Sequence, residues 1–136
     1  MRQVKNNNIN QRILRECFYL VFPSATIFMR RTFIIVYKPY KGREQELLPA
    51  VKASYIDLRE GGYVTSESPK VMKAKDNSII LIFEWKNVQM INDAQANPVI
   101  QKHWMLLSKL CEFARPANLI EFQEPFSEFE TIEWTD

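Results

Sequence analysis

The sequence predicts an α+β fold in which helices lie on an antiparallel sheet. Three observations carry that expectation. Stretches 32–38 and 79–85 are β-branched or aromatic at nearly every position, stretches 43–60 and 97–113 repeat apolar residues at helical spacing, and between them falls a short apolar run joined to the second strand by a turn. At 136 residues the chain fits one domain, large enough to bury a core without disulfides or metal. We divide it into an N-terminal extension, residues 1–28, and a single domain, residues 29–136.

Composition narrows the function classes. The chain is 46% hydrophobic and 25% charged, with three glycines and no low-complexity tract, as in ordinary globular proteins. Its net charge of +2 conceals an asymmetry: residues 1–31 hold Arg2, Lys5, Arg12, Arg15, Arg30 and Arg31 against Glu16, which is +5, so the rest carries −3. The body therefore offers no electrostatic attraction for nucleic acid, and none is expected as a partner. Cys17 and Cys111 belong to no CxxC or Cys/His cluster, so neither a zinc site nor a disulfide framework is indicated, and a reducing cytoplasm is the expected setting.

The extension contains Cys17-Phe18-Tyr19-Leu20-Val21-Phe22, interrupted by Pro23 and followed by no small-residue cleavage site before Arg30-Arg31. This run is far shorter than the roughly 20 residues that span a bilayer, so no membrane partner is expected. Three readings stay open for residues 1–28: an upstream extension with the true start at Met29, an arm that packs on a partner subunit, or a weak targeting segment.

The domain opens with Thr-Phe-Ile-Ile-Val-Tyr-Lys at 32–38, apolar on both alternating faces and hence a central strand, closed by Pro39-Tyr40-Lys41-Gly42. Leu47, Val51, Tyr55 and Leu58 then mark an amphipathic helix over 43–60, stopped by Gly61-Gly62. Pro49 requires that this helix start late, near Glu46, or kink. A short strand at 70–74 should pair through an Asp76-Asn77 turn with the strand at 79–85. Asn87 caps a short helix to about Gln95. Asn97-Pro98 restarts it, asparagine as N-cap and proline at the first helical position, and the second piece runs to about Phe113. The final strand is expected at 128–134.

The order strand, helix, strand, strand, helix, strand is the split βαβ arrangement of ferredoxin-like domains. Sheets of this kind carry helices on one face, yet Phe33, Ile35 and Tyr37 alternate with Ile34 and Val36, and Ile79, Leu81, Phe83 and Trp85 with Ile80 and Ile82. At about 25 cal/mol per Å² an exposed second face is costly, which predicts a homodimer closing sheet against sheet.

The runs Phe-Ile-Ile-Val-Tyr-Lys at 33–38, Phe-Glu-Trp-Lys at 83–86, Ala-Asn-Pro-Val-Ile-Gln at 96–101 and Phe-Ser-Glu-Phe-Glu-Thr-Ile-Glu-Trp at 126–134 resemble the antibiotic biosynthesis monooxygenase-like domains of the dimeric α+β barrel superfamily. The resemblance covers about residues 29–134. It implies a dimeric barrel and, among the activities that such domains host, a cofactor-independent monooxygenase acting on a small aromatic substrate. Haem-degrading relatives place their histidine where this chain has Trp104, one residue after His103 and so about 100° around a helix. No haem, metal or other cofactor is therefore expected.

His103, the single histidine, is the first candidate base, because imidazole exchanges protons near neutral pH. Its plainer reading is a residue on the apolar stripe whose nitrogens bond to a neighbour. Glu84, a carboxylate beyond Ile80 and Ile82 on one strand face, is the second; its plainer reading is a strand-end carboxylate paired with a cation or solvent. Tyr37, Tyr63, Trp85 and Trp104 are candidate walls for a planar or apolar ligand, or simply core. Two functions follow: an oxygenase in which His103 or Glu84 deprotonates the substrate, or a non-catalytic dimer that binds a small apolar ligand or serves structure alone.

Overall fold

The computed structural model describes residues 29–135, so the readings of residues 1–28 lie outside the described residues. Strand β1 (Arg31–Pro39) leads into helix α1 (Glu44–Glu60), strands β2 (Lys70–Lys73) and β3 (Ile79–Trp85) follow, and then helices α2 (Val88–Gln95) and α3 (Pro98–Leu110). Strands β4 (Cys111–Ala114) and β5 (Glu130–Ile132) complete the order, separated by two short 3₁₀ turns, Pro116–Asn118 and Ile120–Gln123. The fold of the described residues is α+β: three helices and one five-stranded sheet in the order β4-β1-β3-β2-β5, every pair antiparallel.

The alternation in β1 and β3 sorts side chains onto two faces. Phe33, Ile35, Tyr37, Ile79, Leu81, Phe83 and Trp85 meet Leu47, Val51, Tyr55 and Leu58 of α1, Ile91 of α2 and Ile100 and Leu107 of α3 in the larger core. Val36 and Ile80 point the other way and are buried with Ala74 and Leu119, flanked by Met72, Ile82, Phe122 and Phe129. The reverse face is thus partly sealed by the chain's own 3₁₀ segment, which departs from the expectation of a bare second face. Ile34 remains 48% exposed there.

Local chemistry explains the element ends. Gly62 at φ 77° lets Tyr63 N–H reach Leu58 C=O at 3.1 Å while Gly62 N–H reaches Arg59 C=O at 3.0 Å, the paired bonds of a Schellman stop for α1. The β2–β3 hairpin closes with Asn77 N–H on Ala74 C=O at 3.0 Å and Ala74 N–H on Ser78 C=O at 2.9 Å. Asn77 takes φ 73°, the left-handed position of a three-residue hairpin loop. Asn87 Oδ1 accepts from Met90 N–H at 3.0 Å and Asn97 Oδ1 from Val99 N–H at 2.9 Å, so both asparagines cap as their sequence positions predict.

α1 spans Glu44–Glu60, as its apolar spacing predicts, with Pro49 exposed in the second turn, so a late start near Glu46 is not how the proline is accommodated. Two boundaries differ from the sequence reading. α3 ends at Leu110 rather than Phe113: Cys111 is already extended (φ −153°, ψ 167°) and pairs with Pro39. The strand beside β1 is therefore β4. The strand expected at 128–134 is the shorter β5, which lies at the opposite edge against β2.

Candidate functional site

The sheet's helix-covered face encloses an apolar cavity of about 40 Å³ between β1, β3, β4, α1 and α3. Phe33, Ile35 and Tyr37 reach it from β1, Leu81, Phe83 and Trp85 from β3, and Phe113 from β4; Ser54, Leu58, Trp104 and Leu107 roof it from the helices. Period two on the strands and spacings of three and four on the helices put these positions on facing surfaces. The rings lock one another: Phe33 meets Trp85 edge-on at 5.5 Å and Phe83 at 5.8 Å, Tyr55 meets Phe83 at 5.6 Å, and Tyr37 leans on Phe113 at 5.6 Å.

The cavity's polar groups are few and uncharged. Ser54 Oγ donates to Val51 C=O at 3.1 Å. Burial raises the Tyr37 phenol far above its ordinary value, with the neighbouring Cys111 a lesser cause, so it stays protonated at physiological pH. The Cys111 thiol, which donates to Leu107 C=O at 3.2 Å, is itself pushed up to about 12 by burial and then by Glu112. Trp85 is 1% exposed, and its indole N–H has no acceptor among the described residues.

The structure brings Tyr37, Trp85 and Trp104 together and sends the other sequence candidates elsewhere. The Tyr63 hydroxyl accepts from Asn97 Nδ2 at 2.9 Å, tying the end of α1 to the start of α3. His103 Nε2 meets Asp57 Oδ2 at 2.5 Å, a bond between α1 and α3 in which each partner directly precedes a cavity residue, Leu58 and Trp104. The imidazole thus clasps the two helices beside the roof and does not line the cavity. Glu84 lies across the sheet, where Thr65 Oγ1 donates to it at 3.0 Å and Arg30 Nε stands 3.8 Å away. It belongs to a mixed-charge recess with Thr32, Glu67, Ser68, Lys70 and Ile82.

Sequence reasoning missed Asp57, Ser54 and Glu121. Asp57 sits 46 residues from His103, and no local pattern announces the pairing. Ser54 had a signal: it falls on α1 between Val51 and Leu58, inside the apolar stripe. Glu121 is buried and accepts from Lys75 N–H at 2.8 Å, pinning the 3₁₀ segment to the hairpin. Beside it lies a wider recess bounded by Lys73, Lys75, Glu124, Glu128, Glu130 and the exposed Phe126, with solvated charges at its rim.

Among the described residues no three His, Cys, Asp or Glu side chains stand close enough to hold a metal ion, and no described helix is long and apolar enough to cross a membrane. No protein-family model, curated protein or solved structure matches the chain.

Proposed function

We propose that this chain is a ferredoxin-like domain that holds one small apolar molecule in the cavity between its sheet and helices α1 and α3, and that it does so without catalysing a reaction. The observation that carries this reading is the lining itself: aromatic and aliphatic walls with no group able to take a proton near neutral pH, since Tyr37 stays protonated and neither His103 nor Glu84 reaches the space. At about 40 Å³ the cavity suits a molecule of one or two heavy atoms or a single large atom such as xenon, well below an ordinary cofactor pocket of several hundred Å³. A homodimer joined through the reverse face is part of the proposal, supported by the exposed Ile34 beside the half-buried Ile82 and Met72.

A second reading, the cofactor-independent oxygenase implied by the monooxygenase-like resemblance, is favoured by one observation, the convergence of Tyr37, Trp85 and Trp104 on a single cavity. Xenon and dioxygen separate the two. Xenon enters dry apolar cavities, and under xenon pressure the methyl resonances of Ile35, Leu58, Leu81 and Leu107 are expected to move together. Dioxygen consumption with anthrone or a quinol is expected to stay at the background rate. Uptake that disappears in His103→Ala or Glu84→Gln would replace the binding reading with the oxygenase, and unmoved methyls would remove the cavity from the argument.

A further inference from the structure

We propose that the basic N-terminal segment of the chain, residues 1–28, docks on its own domain, in the recess that carries Ile120, Phe126 and the acidic side chains of residues 121–130. This surface is separate from the cavity between sheet and helices, and it stands or falls apart from it.

The recess lies at the hairpin end of the sheet, between Lys73 and Lys75 on one side and Glu124, Phe126, Glu128 and Glu130 on the other, and its volume of about 650 Å³ has room for several side chains. Phe126 is 93% exposed and Ile120 66%, the two most exposed large apolar side chains among the described residues. Their backbone is anchored. Glu121 accepts from Lys75 N–H at 2.8 Å and Phe122 packs on Phe129 with ring centres 5.0 Å apart, so the segment holds both apolar side chains out to solvent. Such a pair on a fixed backbone marks a contact surface.

Charge selects the partner. From residue 116 to 136 the chain carries Glu121, Glu124, Glu128, Glu130, Glu133 and Asp136 and no lysine or arginine. A second copy presenting the same patch would set like charges against each other, which disfavours symmetric pairing here. Residues 1–28 carry the opposite sign, with Arg2, Lys5, Arg12 and Arg15 against Glu16, four positive charges less one or +3. Phe18, Leu20 and Phe22 follow Arg15 directly, so one stretch offers cations for the rim and apolar groups for Phe126 and Ile120.

Length permits the contact. β1 begins at Arg31 opposite Trp85, whereas Lys73 pairs with Ile79, six residues back along β3 and two strands over from β1. That separation is about 20 Å along the strands and about 10 Å across them, or about 22 Å in all. Residues 23–30, fully extended, reach about 26 Å, enough to bring Phe22 to the recess. Tethering supplies an effective concentration on the order of millimolar, so contacts too weak to hold a free peptide suffice.

Cys17 provides a reporter within the segment, while Cys111 is buried and shielded from reagents. With a nitroxide on Cys17 of the full chain, the amides of Ile120, Phe126 and Glu128 are expected to broaden more than those of α3, across the sheet. Isotope-labelled chain lacking the nitroxide, mixed with nitroxide-bearing unlabelled chain, should show no such broadening. Its appearance there would assign the segment to a second copy and overturn docking within one chain. Equal broadening at the recess and at α3 would overturn docking altogether.

Variants test the chemistry, and Phe126 is too exposed for its removal to unfold the domain. Phe126→Ala, and the pair Glu124→Lys with Glu128→Lys, should each lower the docked-to-free ratio about tenfold. Adding Arg12→Glu and Arg15→Glu to the lysine pair should restore it, and failure of that rescue would overturn the charge match. Where the nitroxide itself blocks docking, the Phe126 amide shift of the unmodified chain is the readout. It should move in the Arg12→Glu, Arg15→Glu chain and return in the fourfold exchange; a shift that stays put overturns the proposal.

Discussion

The two faces of the sheet bury the same kinds of side chain by different means. Among the described residues, three helices on one face supply regular stripes and, with the strands, enclose seventeen buried residues of a continuous core; on the other, Val36, Ala74 and Ile80 lie under Leu119 and the 3₁₀ turns on either side of it, a segment with little regular structure. Ile80 is as completely buried as Leu81 beside it, so coverage at the centre is equal. The difference is in what holds the cover. The helices are held by many interlocking side chains, and the 3₁₀ segment by Leu119, by Phe122 packed against Phe129, and by one carboxylate, Glu121, bonded to a hairpin amide. Local opening should therefore begin on the reverse face, where fewer packed groups resist it.

Trp85→Ala attacks the helix-covered face at its largest fully buried side chain and is expected to cost about 3–5 kcal/mol in equilibrium unfolding, the range for removing a large aromatic from a core. A smaller loss, about 1–3 kcal/mol, is expected for Glu121→Ala, which removes a charge-assisted bond to Lys75 N–H. Amide exchange distinguishes the two: in Glu121→Ala, protection should drop over residues 116–129 and at Lys75 while α1 and α3 keep theirs. Equal loss on both faces would mean that the faces open as one unit.

Alkali probes the helix-covered face selectively. The Cys111 thiol ionises near 9 in an unfolded chain and at about 12 in the folded one, so above pH 9 the unfolded state releases a proton that the folded state retains. The stabilisation is complete below pH 9 and is lost as pH rises towards 12, with Tyr37, raised by burial, acting in the same direction. Cys111→Ala should flatten the alkaline limb of a stability profile, while an unchanged limb would remove the thiol as a cause. The smallest effect on unfolding is expected from Ile34→Lys, within about 0.5 kcal/mol because the side chain is half exposed. The same substitution should turn a dimer into a monomer in sedimentation velocity, and an unaltered sedimentation coefficient would exclude the reverse face as the contact.

How much of this was legible in the sequence divides along the same line. β1, β3, the hairpin and both asparagine caps follow from periodicity and turn chemistry, which act over a few residues. Cys111 to Ala114 was not legible, because a strand directly after a helix has no turn residue to mark the change, and four residues are too few to reveal a period. The cover of the reverse face was likewise hidden: Leu119, Phe122 and Phe129 have no regular spacing, and their role depends on Glu121 finding a hairpin 46 residues away. At the candidate site, three of the four aromatic residues offered as walls, Tyr37, Trp85 and Trp104, line the cavity, being readable as large side chains on the correct faces. The direction taken by His103 was not, since its partner is visible only when α1 and α3 are laid side by side.

The abrupt passage from α3 to β4 bears on which insertions and deletions this fold can absorb. Leu110 is helical, Cys111 is already a paired strand residue, and Tyr40 N–H holds the Leu110 carbonyl at 2.9 Å, so the junction contains no slack. One added residue there would have to turn the helix by about 100° or exchange the faces of Cys111 and Glu112, burying a carboxylate where a thiol now lies. The loop residues 66–68, exposed between Thr65 and Pro69, have no such coupling and can lengthen freely. Length variation among descendants of this chain should accordingly collect in that loop and be absent at the helix–strand junction.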